Sequence, residues 1–386
     1  MTRLHYISPS LLPSRSANSV HVMHQCDGFA RAGIDISLYA KRAITNADDL
    51  PEALRKNYGV NVQNWNLRTF QSDFSHADTL RIALMALKPV LLAPRGELVL
   101  SRNLYAALIL ASARKKMLFE THQLEYGARK IMQYWIMTRP WVRTVAVSDS
   151  LVSCLEEHHA MRLRDPLVLH DAAPDGIQRL APERRRQELA GLLKTTVDEL
   201  AAWNVICGYF GQLYAGRGIE IIEEMAVARP SCLFLVFGGS ESDVATRSIK
   251  APSNLRYMGH VPHPVSQSAQ AAVDVLLMPY QRSVSIGIQG HDTARWMSPM
   301  KMFEYLAAGV PIISSDLPVL REVLTNGRNA LLVKAENADQ WLAALDSLIS
   351  NPDYANSMGE LAHREYQIKH TWLRRAESLL AAGRDL

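Results

Sequence analysis

The stretch Trp296–Asp316, WMSPMKMFEYLAAGVPIISSD, decides how the chain is read. Ser298 is a good N-cap and Pro299 suits the first helical position. Met300, Met302, Phe303, Leu306 and Ala307 then recur at helical spacing, and Gly309 supplies a C-terminal stop. Pro311–Ser315 is a short apolar run that reads as a buried strand. A loop, a short helix and a strand therefore follow in close order. The amides at the helix start lack internal partners and lie at the positive end of its dipole, so they can hold a phosphate. Glu304 falls on the second turn, off the apolar stripe. A carboxylate there can accept hydrogen bonds from a pair of sugar hydroxyls.

The same alternation extends in both directions. Val273–Pro279 is an apolar strand that leads into a polar, Ser- and Gly-rich loop, 280–297, of the kind that forms a mobile active-site segment. Asn204 opens NVICGYFGQLYAGRG: a strand, Val205–Phe210, a glycine-punctuated loop, and a helix from about Ile219. Cys232–Phe237 and Leu331–Val333 read as strands, and helices are expected over 338–350 and 353–380. In the first half, Arg3–Ser8 is a strand, 9–19 a polar loop, and Val22, Met23, Cys26, Phe29 and Ala30 a helical stripe ending at Gly33. Ile34, Ile36 and Leu38 then alternate with polar neighbours as a second strand. A helix over 75–95, strands at Glu97–Ser101 and Lys116–Glu120, and closing strands at Arg143–Ser148 and Pro166–His170 complete this half. The pattern is α/β with parallel sheets, in two Rossmann-like domains. The expected bounds are 1–180 for the first domain, 181–203 for a charged helical connector, 204–365 for the second domain and 366–386 for a final helix.

Bulk properties agree. A chain of 386 residues exceeds one comfortable core. With 48% apolar and 21% charged residues it is a globular composition. A net charge of +4, with no basic run interleaved with aromatics, argues against a nucleic-acid partner. The four cysteines are far apart and read as buried thiols in a reducing compartment. No signal peptide and no membrane span of ~20 apolar residues is evident, which points to the cytoplasm. The chain lacks Gly-x-Gly-x-x-Gly, which disfavours a dinucleotide oxidoreductase. The pairs His21/His24 and His260/His263 have no third ligand in sequence and read as core or surface histidines, so no metal is expected. Lys130–Arg143, KIMQYWIMTRPWVR, mixes aromatics with basic residues, a composition that can lie on an anionic membrane surface. The competing and favoured reading is a core helix before a Pro-broken loop.

The run from Ser298 to Pro311 resembles the nucleotide-sugar site of retaining GT-B glycosyltransferases of family four, in which Ser-Pro-x-Lys-x-x-Glu-Tyr precedes Ala-x-Gly-x-Pro. The resemblance implies GT-B architecture: two Rossmann-like domains facing a central cleft, with the C-terminal helix crossing back to the first. It implies a nucleoside-diphosphate sugar as donor substrate, no further cofactor, and a sugar, lipid-linked or protein acceptor, with contact at the inner membrane surface for lipid-linked ones. Met300 and Lys301 at the helix start, with Ser298 and Pro299, would meet the diphosphate, and Glu304 the ribose. Gly211, Gln212 and Arg217 match the second-domain phosphate loop; Arg217 stands at the family's lysine and Gln212 at its arginine. Arg15 to Ser19 would line the donor or acceptor. His122, just past a strand end in FETHQ, matches the family's cleft histidine against the donor sugar. The family pairs a glutamate with a second one eight positions on; Glu304 is the second, and Trp296 stands at the first. Asp292 from the same loop and the backbone amides of Met297 to Met300 are the candidate substitutes. The resulting expectation is a retaining, metal-independent glycosyltransferase serving polysaccharide or glycoconjugate synthesis. A silent nucleotide-binding partner and a GT-B-like sugar-nucleotide epimerase are the alternatives; the latter needs a carboxylate pair for acid–base work.

Overall fold

In the computed structural model, which describes residues 3–43, 49–74, 77–94, 96–285 and 292–386, the chain divides into two units. The first comprises Met1–Asp175 and His370–Leu386, the second Gly176–Lys369. Unit 1 opens with β1 (Arg3–Leu12), α1 (Ala17–Arg31), β2 (Asp35–Arg42), α2 (Leu50–Tyr58) and β3 (Asn66–Gln71). It continues through α3 (Asp78–Leu91), β4 (Leu98–Ser101), α4 (Leu104–Ser112), β5 (Met117–Thr121) and α5 (Ala128–Met137). β6 (Val142–Ala146), α6 (Asp149–His159) and β7 (Leu167–Val168) follow. The strands form one seven-stranded parallel sheet in the order β3-β2-β1-β4-β5-β6-β7.

Unit 2 holds α7 (Pro182–Leu193), α8 (Val197–Ala201), β8 (Val205–Phe210), α9 (Ile219–Ala228), β9 (Cys232–Phe237) and α10 (Glu241–Ser248). Then come β10 (Leu255–Gly259), α11 (His263–Ala272), β11 (Val275–Met278), α12 (Met300–Ala308) and β12 (Ile312–Ser315). β13 (Leu331–Val333), α13 (Ala338–Ser350) and α14 (Pro352–Lys369) close it, and α15 (Trp372–Arg384) belongs to unit 1. The sheet order is β10-β9-β8-β11-β12-β13. β8 and β9 are apolar almost throughout because a parallel sheet is covered by helices on both faces.

Both sheets reverse direction of growth once, between β1 and β4 in unit 1 and between β8 and β11 in unit 2. Loops leaving the carboxyl ends of such neighbouring strands diverge and leave a crevice. Residues 13–16 and 102–103 sit at that position in unit 1; 211–218 and 279–285 do so in unit 2.

Several boundaries differ from the sequence expectation. Residues 181–203 are part of unit 2 instead of a free connector, because Leu189, Ala190 and Leu200 are buried within it. The long last helix is two helices, since Thr371 breaks the run and caps α15 by accepting from Arg374 N. The loop expected over 280–297 lies partly outside the described residues. Among the described residues, no helix is long and apolar enough to cross a membrane.

α15 packs on α1 where Gly28 lets the backbones approach: a Cβ there would lie 2.4 Å from the Trp372 carbonyl oxygen. Backbone cannot swing aside as a side chain does. Gly28→Ala is therefore expected to cost about 1–3 kcal/mol, seen as a lower urea midpoint at unchanged m-value.

Candidate functional site

In unit 2 the loops after β8 and β11 are stitched together at the switch point, Gln281 N donating to Gly216 O and Ser285 N to Ala215 O at 2.9 and 3.1 Å. Gly211 has φ +150°, and a Cβ on it would stand 2.8 Å from Lys301 Nζ. Its bare backbone is what admits the lysine. Lys301 Nζ lies 4.0 Å from the centroid of the Tyr209 ring and 4.8 Å from that of Tyr280. Arg217 Nη1 donates to the Tyr280 hydroxyl at 2.9 Å, with its guanidinium 5.1 Å from the same ring. Both cations thus rest on aromatic faces, an attraction that holds a cation without neutralising it. Among the described residues neither has an ion-pair partner. Burial, then the charge of Arg217, push the Lys301 ammonium well below the usual lysine range. An anion bound here would relieve both cations at once.

The α12 start differs by one residue from the sequence reading. Pro299, at φ −76° and ψ 118°, is the N-cap and has no side-chain capping bond of its own. The extended proline supplies the first acceptor carbonyl, to Met302 N at 2.9 Å, so Met300 is the first helical residue. The amides of Met300 and Lys301 precede that first bond. Glu304 is only 8% exposed, and each oxygen has a protein donor: His263 Nε2 to Oε1 at 2.7 Å and Gln270 Nε2 to Oε2 at 3.1 Å. Burial alone would raise this carboxyl, but His263, Gln270 and Lys301 together hold it below the usual range. Each carboxylate oxygen keeps a further lone pair for a hydroxyl. Gln212 contributes its carbonyl, which accepts from the Tyr209 hydroxyl at 2.8 Å. Asp292, a candidate substitute for the missing glutamate, accepts on Oδ1 from the amides of Val284 and Ala294, both at 2.9 Å, which ties it to its own loop.

In unit 1, Glu120 and His122 leave the carboxyl end of β5. Glu120 is fully buried, and its Oε1 accepts from His122 Nε2 at 2.6 Å and Arg375 Nη2 at 3.0 Å. His21 Nε2 lies 3.1 Å from the same oxygen, off hydrogen-bond alignment, while its Nδ1 is 2.8 Å from Asp171 Oδ1. Burial would raise Glu120, but the charge of Arg375, the His21 imidazole beside it and the bond from His122 hold it well below the usual carboxylate range. His122 is lowered to about 4, first by burial and then by the Arg102 guanidinium. It is neutral at pH 7, protonated on Nε2, and its Nδ1 accepts from Arg102 Nη2 at 3.3 Å. Both ring nitrogens are therefore occupied. His21, Glu120 and His122 bring their ligand atoms within 4.8 Å of one another, a set that could hold a metal. The Arg375 guanidinium already supplies the counter-charge, and Arg102 adds a second cation, so a divalent ion would face repulsion from both. Of the N-terminal loop residues, Arg15 is exposed. Ser19, expected beside the donor, is buried instead, and its hydroxyl spans Leu11 O and Ser14 Oγ at 2.8 Å each, closing its own loop.

Residues 204–351 match the family model described as glycosyl transferases group 1. This part of the chain is similar to the group 1 glycosyltransferases. The phosphatidyl-myo-inositol mannosyltransferase of Mycolicibacterium smegmatis is 29% identical over 167 residues, 39% of this chain and 40% of that protein. The chain thus spans about two fifths of that relative's length. The D-inositol 3-phosphate glycosyltransferase of Rhodococcus erythropolis is 23% identical over 72% of this chain and 62% of its own. Among solved structures, Anabaena HepE in complex with UDP superposes with a TM-score of 0.72 at 12% identity, covering 100% of both chains. Together with the two parallel sheets, this likeness makes the fold GT-B.

Unit 2 brings Gly211, Arg217, Lys301 and the start of α12 together at one switch point. Sequence reasoning missed the aromatic supports Tyr209 and Tyr280. The position of Tyr280, directly after the strand β11 in LLMPYQ, was the available signal. It also missed His263 and Gln270 as partners of Glu304; they lie seven apart on α11, two helical turns on one face. Arg375 carries no sequence signal at all.

Proposed function

We propose that the chain transfers a sugar from a nucleoside-diphosphate donor to a hydroxyl of a sugar acceptor, with retention and without a metal ion, in glycoconjugate or polysaccharide synthesis. The observation that carries this is the pair Arg217 and Lys301, held on Tyr280 and Tyr209 beside the open amides of α12 with no ion-pair partner among the described residues. Two fixed cations and helix-start amides are a preorganised receptor for the charge that grows on a departing diphosphate. They do the work a divalent ion would otherwise do. Glu304, oriented by His263 and Gln270, takes the ribose hydroxyls, and His122 and Arg15 serve the sugar and acceptor. A second reading, a nucleotide-binding partner without turnover, is favoured by Trp296 in place of the family's first glutamate.

The test is thermal unfolding with UDP, GDP, ADP and TDP and their sugars, with and without chelator. One nucleotide at a hundredfold excess over Kd is expected to add about 2.7 kcal/mol of stability, insensitive to chelator. Product analysis with that donor then decides turnover and anomeric configuration. Binding without any product establishes the second reading; no binding by any nucleotide removes both.

Glu304→Gln places an amide where two donors already point. Titration calorimetry should show nucleosides and nucleoside diphosphates weakened alike, by roughly tenfold to a hundredfold. An effect confined to the sugar part of the donor would reassign the residue.

α5 presents Ile131 at 70% and Tyr134 at 44% exposure beside Lys130, which suits an anionic inner-membrane surface and a lipid-linked acceptor. The four cysteines are free and buried, in keeping with a cytoplasmic site of action. Cosedimentation with anionic vesicles, lost in Ile131→Asp, is the expected result.

A further inference from the structure

The C-terminal helix α15 reaches into the centre of unit 1 through one side chain. Arg375 is 4% exposed and makes four hydrogen bonds. Its Nε donates to His170 O at 2.9 Å, Nη2 to Glu120 Oε1 at 3.0 Å and to Leu169 O at 3.3 Å, and Nη1 to Gln25 Oε1. The guanidinium is thus clamped by backbone carbonyls and an amide on one side, and presents its charge to Glu120 on the other. Such a fork is fixed in orientation, unlike a lysine ammonium on a flexible stem.

Glu120 in turn decides the state of His122. The imidazole has two candidate acceptor edges, and the one facing Glu120 must carry the proton because a carboxylate only accepts. That leaves Nδ1 as the lone pair toward Arg102. The groups facing His122 are Glu120 from β5, Arg102 after β4 and His21 from α1; Asp171 stands behind His21. Of these, Glu120 is paired directly with a cation from the C-terminal helix.

We propose that Arg375 is a positioning residue for His122: by pinning the buried carboxylate of Glu120 it fixes His122 as the Nε2–H tautomer and sets the direction in which the ring presents its edge. The inference rests on the sugar-transfer reading only in its kinetic readout. Without Arg375, the Glu120 charge becomes available to stabilise a protonated imidazole, and the ring loses its fixed tautomer.

The experiment is nitrogen NMR of the full chain labelled with 15N-histidine, with His122 assigned by the signals lost in His122→Gln. Wild type should show Nε2 protonated and Nδ1 unprotonated at pH 7. In Arg375→Met the two shifts should converge, and the midpoint of the His122 titration should move up by about one to three units. Arg375→Lys, which keeps the charge but not the fork, should fall between. If Arg375→Met does not fold, Arg375→Lys decides alone: displaced His122 signals support the proposal, and wild-type signals overturn it. In a folded Arg375→Met, unchanged shifts and midpoint also overturn it, whatever the loss of thermal stability. Where the wild type transfers sugar, kcat should fall in these variants with the donor KM nearly unchanged, and a fall in neither argues against a role in positioning. If the wild type transfers no sugar from any donor, the proposed function fails, and the His122 signals still decide this inference.

Discussion

Lys301→Met should make the free protein more stable and its nucleotide complex weaker. The ammonium is held in a place that disfavours its charge: burial comes first, then repulsion from Arg217, with only partial help from Glu304 one turn on. Methionine fills a similar volume, keeps contact with the Tyr209 and Tyr280 rings and removes the unfavourable charge. The sign with pH follows from linkage. The folded-state pKa of Lys301 lies below the free value of 10.5, so between those two values the unfolded chain binds more protons than the folded one. Stability attributable to Lys301 therefore rises with pH across that window, by at most about 1.4 kcal/mol per unit. The wild type should show this rise relative to Lys301→Met, and the gap between them should close as pH approaches 10.5. Nucleotide affinity moves the opposite way. A charge-assisted bond to a phosphate oxygen contributes about 1.5–3 kcal/mol, so nucleoside diphosphates should bind roughly tenfold to a hundredfold more weakly, and nucleosides without phosphate as before. Arg217→Ala should share the second effect. Unchanged diphosphate affinity in both variants would remove the basis of the diphosphate assignment.

That opposition between stability and binding explains which parts of the molecule could be read from the sequence. The strands and helices of the second half were legible because buried parallel strands are continuous apolar runs and α12 has a clear stripe and a glycine stop. β9 and α13 fall on the residues expected. Gly211, Arg217 and Lys301, grouped beforehand by the family resemblance, do lie near one another, since Gly211 and Arg217 follow a strand end and Lys301 a helix start. What was not legible is of another kind. Cations that lie on rings have no motif, because any aromatic side chain at a strand end can supply the face; Tyr209 and Tyr280 were invisible for that reason. The buried ionic centre of unit 1 draws on His21, Glu120, His122, Asp171 and Arg375, which span most of the sequence. Helical periodicity says only that Arg375 lies near the apolar face of α15. It cannot say that a carboxylate awaits it. His21 and His24, read as core or surface histidines, are both buried, but their partners were not legible: His21 turns to Asp171 and Glu120, while His24 stacks on Trp372 at 6.5 Å.

Glu120→Gln should be the most destabilising single change in unit 1 that alters no volume. The substitution keeps an acceptor for His122 but leaves the Arg375 guanidinium, 4% exposed, without the anion it was buried against. Breaking a buried pair from one side costs about 3–5 kcal/mol, because the remaining charge stays desolvated. Asp171 also lies within the field of Arg375, which favours the lower end of that range. Removing both charges should cost less than the sum of the single changes: the double variant Glu120→Gln/Arg375→Met is expected to recover about 1 kcal/mol or more, measured by urea unfolding. The acid side gives an independent check. The folded-state pKa of Glu120 is depressed below its free value of 4.5, so its contribution is fully present above that value and is lost as pH falls through the folded pKa. The stability gap between wild type and Glu120→Gln should therefore narrow as pH falls from about 4.5 through the folded-state pKa, below which both carry an uncharged group at this position. A gap that stays constant into the acid range would mean that shape, and not the charge of Glu120, holds the C-terminal helix in place.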